Sequence, residues 1–314
     1  MTDEMMTEDG GRKTEPRSSV LGPPSFLGSW LVREYVYNPD GSLAGTVRQR
    51  RELVQLANGR IRVTQHCQPD PELDGHPMGR FTGSPVFELS VEPPYRYYHG
   101  PAVVGTAVSW ADGVMTGRGL WPQFGHNFRS FAILAAPEQQ LTGGKFFNAS
   151  QMIANIAGLA LPEATAADWP TLSGPHWPGE LAKEWAGTVE MVAAGSMVSE
   201  KRPLHRRYGP DQSWQDEAKD GSTARWQLKP DEQRYRLTGQ QADIPLLGIG
   251  KQFGWLLEIE AVAGFNTIIE LMELLDPASG HLVGLRRWFI DNELTEVEII
   301  RLRPIDGRRR TDDR

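Results

Sequence analysis

The sequence predicts a mainly β protein of two antiparallel β-barrels, and three observations carry that prediction. Apolar and polar residues alternate with period two along most runs, and Gly, Asn, Asp and Pro turn signatures separate those runs at short intervals. The pattern also starts twice, at Trp30 and at Trp185, on either side of a Pro/Trp-rich stretch. On this basis residues 1–22 are a disordered arm and 23–160 an N-terminal barrel holding the ligand or active site. Residues 161–183 are then a linker, 184–305 a C-terminal barrel and 306–314 a flexible tail.

Leu31 to Tyr37 is rich in aromatic and branched residues and stops at the turn Asn38-Pro39-Asp40-Gly41. Thr46 to Leu56 and Arg60 to Cys67 flank Asn58-Gly59, a hairpin signal because both residues tolerate positive φ. In the second of these runs Ile61, Val63, Gln65 and Cys67 share the inward face. Residues 68–84 form a Pro/Gly/Asp-rich loop. Strands resume at Val86 to Val91, with Phe87, Leu89 and Val91 on one face, and continue to Phe147. Ser150 to Leu159 reads as a helix capped by Asn148 or Ser150. After the linker a second meander runs from Trp185 to Leu302, with Thr267 to Leu275 read as a strand for its branched residues.

The 314 residues carry 33 basic and 40 acidic side chains, a net charge of −7, which argues for simple solubility and against a nucleic-acid footprint. With 39% hydrophobic residues the chain can build ordinary cores. The single cysteine, Cys67, allows no internal disulfide and no thiolate zinc cluster, and its apolar face marks it as a buried, inert thiol. The polar N-terminus does not read as a signal peptide, and no apolar run is long enough to span a membrane. A cytoplasmic location is therefore expected.

Gly28-Ser29-Trp30 at the head of the first strand resembles the Gly-x-Trp signature of lipocalins and the wider calycin barrels. The resemblance covers the outline of residues 25–305 as two such barrels in tandem. It implies that the tryptophan closes the barrel floor and that an arginine from a late strand packs across it, a place Arg301 is available to take in the second half. There Trp185 precedes Gly187, so the tripeptide order is not kept. Tandem barrels of this kind occur in carotenoid hydratases and pericyclic cyclases, which implies an apolar or aromatic small-molecule ligand.

Phosphate-loop, nucleophile-elbow, zinc-protease and dinucleotide signatures are all missing, which leaves cofactor-independent acid–base chemistry or plain binding. The segment from Gly117 to Phe128 reads as a rim loop, with His126 as general acid or base and Arg118 steadying an oxyanion. Trp121, Phe124 and Phe128 would hold the ligand; alternatively they plug the barrel. Tyr95, Tyr97 and His99 share one face, and if it is inward Tyr97 and His99 exchange protons beside Tyr95 as a ligand contact; otherwise it is an outer edge. Lys145, between a glycine pair and two phenylalanines, is a base or anion binder if desolvated, and a snorkelling surface residue otherwise. Glu270 is an interior acid if its strand face, rather than that of Ile269 and Leu271, points inward. His66 and His76 flank an acidic loop but match no metal-ligand spacing, and no metal or cofactor is expected.

The leading functional expectation is a cofactor-independent lyase, isomerase, hydratase or cyclase acting in the first barrel, with His126, Tyr97, His99, Arg118 and Lys145 as its polar groups. The alternative is a non-catalytic carrier of haem, an isoprenoid or a pigment, with His66, His99 or His126 as axial ligand in the haem case. A third option is that the second barrel, poor in histidine (His205 and His281), is only a structural or dimerising domain, with a homodimer as the partner state.

Overall fold

The computed structural model describes residues 26–305 except 165–176, 197, 220, 242, 277 and 278. The expected arm of residues 1–22, the middle of the linker and the tail of residues 306–314 lie outside the described residues. The first barrel is built from β1 (Gly28–Tyr37), β2 (Leu43–Gln55), β3 (Ile61–Pro69), β4 (Val86–Glu92) and β5 (Tyr95–His99). It continues through β6 (Val104–Ala111), β7 (Val114–Trp121), β8 (His126–Ala136), β9 (Gln139–Asn148) and β10 (Gln151–Pro162). Each strand pairs antiparallel with its neighbours in sequence, and β10 returns to pair with β1, closing the wall.

The second barrel repeats the plan. Its strands are β11 (Glu184–Ala193), β12 (Ser199–Tyr208), β13 (Ser213–Ala218), β14 (Thr223–Asp231) and β15 (Arg234–Gln241). They are followed by β16 (Ile244–Phe253), β17 (Leu256–Ala263), β18 (Thr267–Leu275), β19 (Leu282–Ile290) and β20 (Glu293–Pro304), which closes on β11. One short helix, α1 (Pro178–Leu181), precedes it. Ten strands per barrel exceed the eight of lipocalins. No helix among the described residues is long and apolar enough to cross a membrane.

Alternation sets what each wall shows to its interior. In β1, Trp30, Val32, Glu34 and Val36 point inward, and the pairing Trp30 to Arg51, Val32 to Gln49 and Glu34 to Val47 carries that parity into β2. The Trp30 indole donates to the Phe26 carbonyl at 3.1 Å, which ties the lead-in peptide across that end of the barrel. The expected Asn58-Gly59 hairpin forms, with Gly59 at φ 80°.

Three expectations are corrected. The expected helix of residues 150–159 is instead a turn residue followed by strand β10: both of its faces are buried, one in the barrel and one against the second barrel, so its sequence has no alternation to read. The expected rim loop from Gly117 to Phe128 is the β7–β8 hairpin, with only Pro122 to Gly125 between the strands. Arg301 does not cross a barrel floor, because it shares the outward face of β20 with Val297 and Ile299, whereas Trp185 packs inward with Ile300 and Leu302.

The two barrels pack wall to wall. Tyr37, Phe131, Ile133, Leu141 and Leu159 on the outside of the first meet Val192, Phe253, Trp255, Leu285 and Ile299 of the second in one buried cluster. Polar ties surround it: Lys145 Nζ lies 2.9 Å from Glu258 Oε2, and Gln139 donates to Asp276 at 2.5 Å. At Gly254 the backbone has φ 57°, and a Cβ there would overlap the Tyr37 hydroxyl. Gly254→Ala is therefore expected to cost about 1–3 kcal/mol by overpacking this seam. Urea unfolding followed by tryptophan fluorescence checks it, and an unchanged midpoint would contradict the packing.

Candidate functional site

The two interiors differ in kind, and the difference locates the candidate site. In the second barrel Arg206, fully buried, bonds through Nε to Asp216 Oδ1 at 2.5 Å and through Nη1 to Glu273 Oε2 at 2.8 Å. Arg286 bonds Asp216 Oδ2 at 2.8 Å and Glu298 Oε2 at 2.9 Å. Both guanidiniums also lie over indoles, Arg206 at 5.5 Å from Trp214 and Arg286 at 5.2 Å from Trp226, and the two indoles stack with centroids 5.6 Å apart. Every carboxylate in this cluster faces a cation. The enclosed void beside Glu273 is about 10 Å³, room for one water at most. A wider open cleft of about 610 Å³, where Tyr208, Trp214 and Trp226 meet Arg207, Gln215, Arg225 and Gln240, offers aromatic, arginine, amide and hydroxyl groups but no histidine or carboxylate to exchange protons at neutral pH.

The first barrel is polar inside without being saturated. Glu34, 7% exposed, accepts from Gln49 Nε2 at 2.6 Å and lies 3.5 Å from Arg51 Nη2. Burial pushes its carboxyl above the ordinary range, although Arg51 and Gln49 pull the other way. Among the described residues, the buried Arg51 Nε, Gln140 Nε2 and Thr142 Oγ1 have no hydrogen-bond partner. Two inward glycines let these groups pack close against the backbone. A Cβ at Gly158 would collide with Thr142 Oγ1 and sit 2.9 Å from Glu34 Cγ. One at Gly117 would lie 3.0 Å from the Tyr98 hydroxyl and 3.2 Å from Ser130 Oγ. The inward side chains of Tyr98, Met115 and Ser130 remain partly exposed, so solvent reaches this part of the interior.

The sequence candidates divide between inside and outside. His126, Trp121 and Phe128 point inward, and Phe124 packs from the β7–β8 turn. Phe81, from the 68–84 loop, stacks on Phe124 at 4.2 Å and meets Trp121 edge-on at 5.1 Å, so these aromatics close one end. Leu73 and Met78, on two short 3₁₀ turns of the same loop, are buried beneath it. Neither ring nitrogen of His126 has a well-formed hydrogen bond, and burial, with Arg80 nearby, holds its imidazole below its ordinary value and neutral at pH 7.

Tyr95, Tyr97 and His99 lie on the outer face of β5, because Leu89 pairs with Tyr98 and Val91 with Arg96. His99 Nε2 meets Ser90 Oγ outside at 2.7 Å. Arg118 stands outward, opposite Thr106 and Arg129, and Lys145 is spent on Glu258 of the other barrel. Glu270 faces away from the second barrel's interior and pairs with Arg287; Ile269 and Leu271 take the inside. His66 bonds Ser84 and His76 accepts from the Met78 amide. Cys67 is buried, and burial, together with Glu34, raises its thiol to about 12, which keeps it protonated.

The residues that do converge, Glu34, Arg51, Arg96 and Tyr98, were readable from parity. With Phe87, Leu89 and Val91 inward and a two-residue turn at Pro93-Pro94, antiparallel pairing sends Arg96 and Tyr98 inward and their neighbours out.

This is the architecture of a tandem lipocalin-like barrel protein. No protein-family model matches the chain, and no curated protein is similar to it in sequence. Among solved structures it is similar to a protein of unknown function of the DUF3598 family from Nostoc punctiforme, with a TM-score of 0.58 and 13% identity over 90% of this chain and 97% of that one. An S-type phycobiliprotein lyase from Guillardia theta matches 43% of this chain and 86% of its own, at 13% identity and a TM-score of 0.32. Kievitone hydratase from Nectria haematococca matches 89% and 90%, at 10% identity and a TM-score of 0.17.

Proposed function

We propose that the first barrel binds an apolar or aromatic small molecule and carries out cofactor-independent acid–base chemistry on it, the work of a lyase, isomerase, hydratase or cyclase. The observation that carries this reading is Glu34: a buried carboxyl, held toward its protonated form, facing an interior that solvent reaches at Tyr98, Met115 and Ser130. Glu34 donates its proton to the bound molecule and recovers one from carbon or water, so the enzyme ends each cycle unchanged. The Arg51 guanidinium steadies the carboxylate between the two steps, and the Tyr98 hydroxyl orients an oxygen of the ligand. His126 is the second ionisable group of this reading, set in the aromatic end with Trp121, Phe124 and Phe128 around the apolar body. Tyr95, Tyr97, His99, Arg118 and Lys145 have no part in it.

The test begins with native mass spectrometry, which identifies a co-purifying compound. Incubation of that compound with the protein in deuterated water then reports proton exchange at carbon as a mass increase. Gly117→Val, whose side chain would press on the Tyr98 and Ser130 hydroxyls and displace them, is expected to abolish its retention. A compound that stays bound but leaves unlabelled and unaltered would replace catalysis with the second reading, a carrier. That reading draws on the mutually packed rings of Phe81, Phe124, Trp121 and Phe128, which give the barrel an apolar end wall for such a ligand to rest on.

A further inference from the structure

Resting on that reading of the first barrel, we infer that its ligand carries a carboxylate, received by Arg96 and the Tyr98 hydroxyl. Arg96 is 8% exposed and faces the interior. Its Nε donates to Ser109 Oγ at 3.1 Å, and its guanidinium lies 5.8 Å from the centroid of the Phe26 ring. Among the described residues no carboxylate pairs with it, in contrast to Arg206 and Arg286, each of which meets two. Burial lowers the affinity of Arg96 for its proton. A buried guanidinium is costly unless an anion meets it, and its planar fork matches a carboxylate.

The surroundings complete the receptor. Tyr98 stands two residues along the same inward face, within the field of both Arg96 and Arg51. Its hydroxyl and that of Ser130 close on Gly117, which is in register with Ala107 and, through it, with Arg96, so two neutral donors share that stretch of the inner wall with the guanidinium. Phe26 and Trp30 supply apolar surface beside it. Glu34 is already engaged by Gln49 and Arg51, which leaves Arg96 as the cation free to take the ligand's charge.

Fluorescence titration of the full chain with 1-pyrenebutyrate and with 1-pyrenebutanol, which differ in the head group, tests the inference. The wild-type chain is expected to bind the acid about 10- to 100-fold more tightly than the alcohol, the worth of a charge-assisted hydrogen bond. Arg96→Met should bring that ratio close to one, and Arg96→Lys should keep most of it. Equal binding of the two compounds by the wild-type chain, or a ratio that survives Arg96→Met, would overturn the carboxylate assignment while leaving the chamber. Binding of neither compound would overturn the chamber reading and this inference together. If circular dichroism shows that Arg96→Met does not fold, the wild-type and Arg96→Lys ratios decide.

Discussion

Arg206→Met is expected to destabilise the protein by about 3–5 kcal/mol, a large share of the stability of an ordinary domain. Arg206 is fully buried, and its Nε and Nη2 bond both oxygens of Asp216 while Nη1 reaches Glu273. Removing it strands Glu273 in the interior and leaves Asp216 with Arg286 alone. The loss comes from the orphaned carboxylates, since replacing a whole ionic cluster with apolar residues of similar volume is often neutral. Replacing Arg206, Asp216 and Glu273 together with Met, Leu and Met should accordingly recover most of the stability.

The pH profile supplies a second check. Burial raises the Asp216 carboxyl, but Arg206 and then Arg286 outweigh it and hold it below its ordinary value of 3.8. A lowered folded-state value adds stability above the unfolded-state value and loses it as the pH falls through the folded one. Without Arg206 that lowering shrinks, so acid unfolding should begin at a higher pH than in the wild type. Urea titrations at pH 7 and pH 4 measure both effects. A change under 1 kcal/mol at pH 7 would show that the cluster is not held as described.

How much of this was legible in the sequence depends on how many of a strand's faces meet water. Strands with one wet face, such as Ile61–Pro69 with Ile61, Val63, Gln65 and Cys67 inside, announce both their type and their parity. Gln151–Pro162 is buried on both faces along most of its length, and its largely apolar run without alternation resembles a helix. The site suffered from parity of another kind. Tyr97, His99, Arg118 and Lys145 attract notice by residue type, yet all stand one position from an inward residue: Tyr98, Gly117, Gly119 or Gly144. Type alone cannot separate the faces of a strand, whereas hairpin register can. The ionic cluster of the second barrel was harder still, because Arg206, Asp216, Glu273 and Arg286 come from four strands and no local pattern joins them.

Glu34→Gln is the substitution expected to separate chemistry from folding. Glutamine keeps the shape and an acceptor for the Gln49 amide, so the interior should repack little. It cannot give or take a proton, and loss of a positioned acid–base group should cut conversion of the bound compound by about 10²- to 10⁴-fold. Stability should move the other way. Burial raises the folded-state Glu34 above its ordinary value of 4.5, with Arg51 only partly compensating. Such a group contributes stability that is complete below the unfolded-state value and lost as the pH rises through the folded-state one. The wild type should therefore weaken over that interval, while Glu34→Gln, with nothing to ionise there, should stay level and be at least as stable at pH 7. Thermal unfolding of both proteins between pH 4 and pH 8, paired with deuterium exchange into the bound compound, measures the two effects on the same samples. Unimpaired exchange in the variant would remove Glu34 from the chemistry. A loss of stability at pH 7 would instead mean that its ionised carboxylate holds the barrel together, the opposite of what a desolvated acid beside partnerless Thr142 and Gln140 implies.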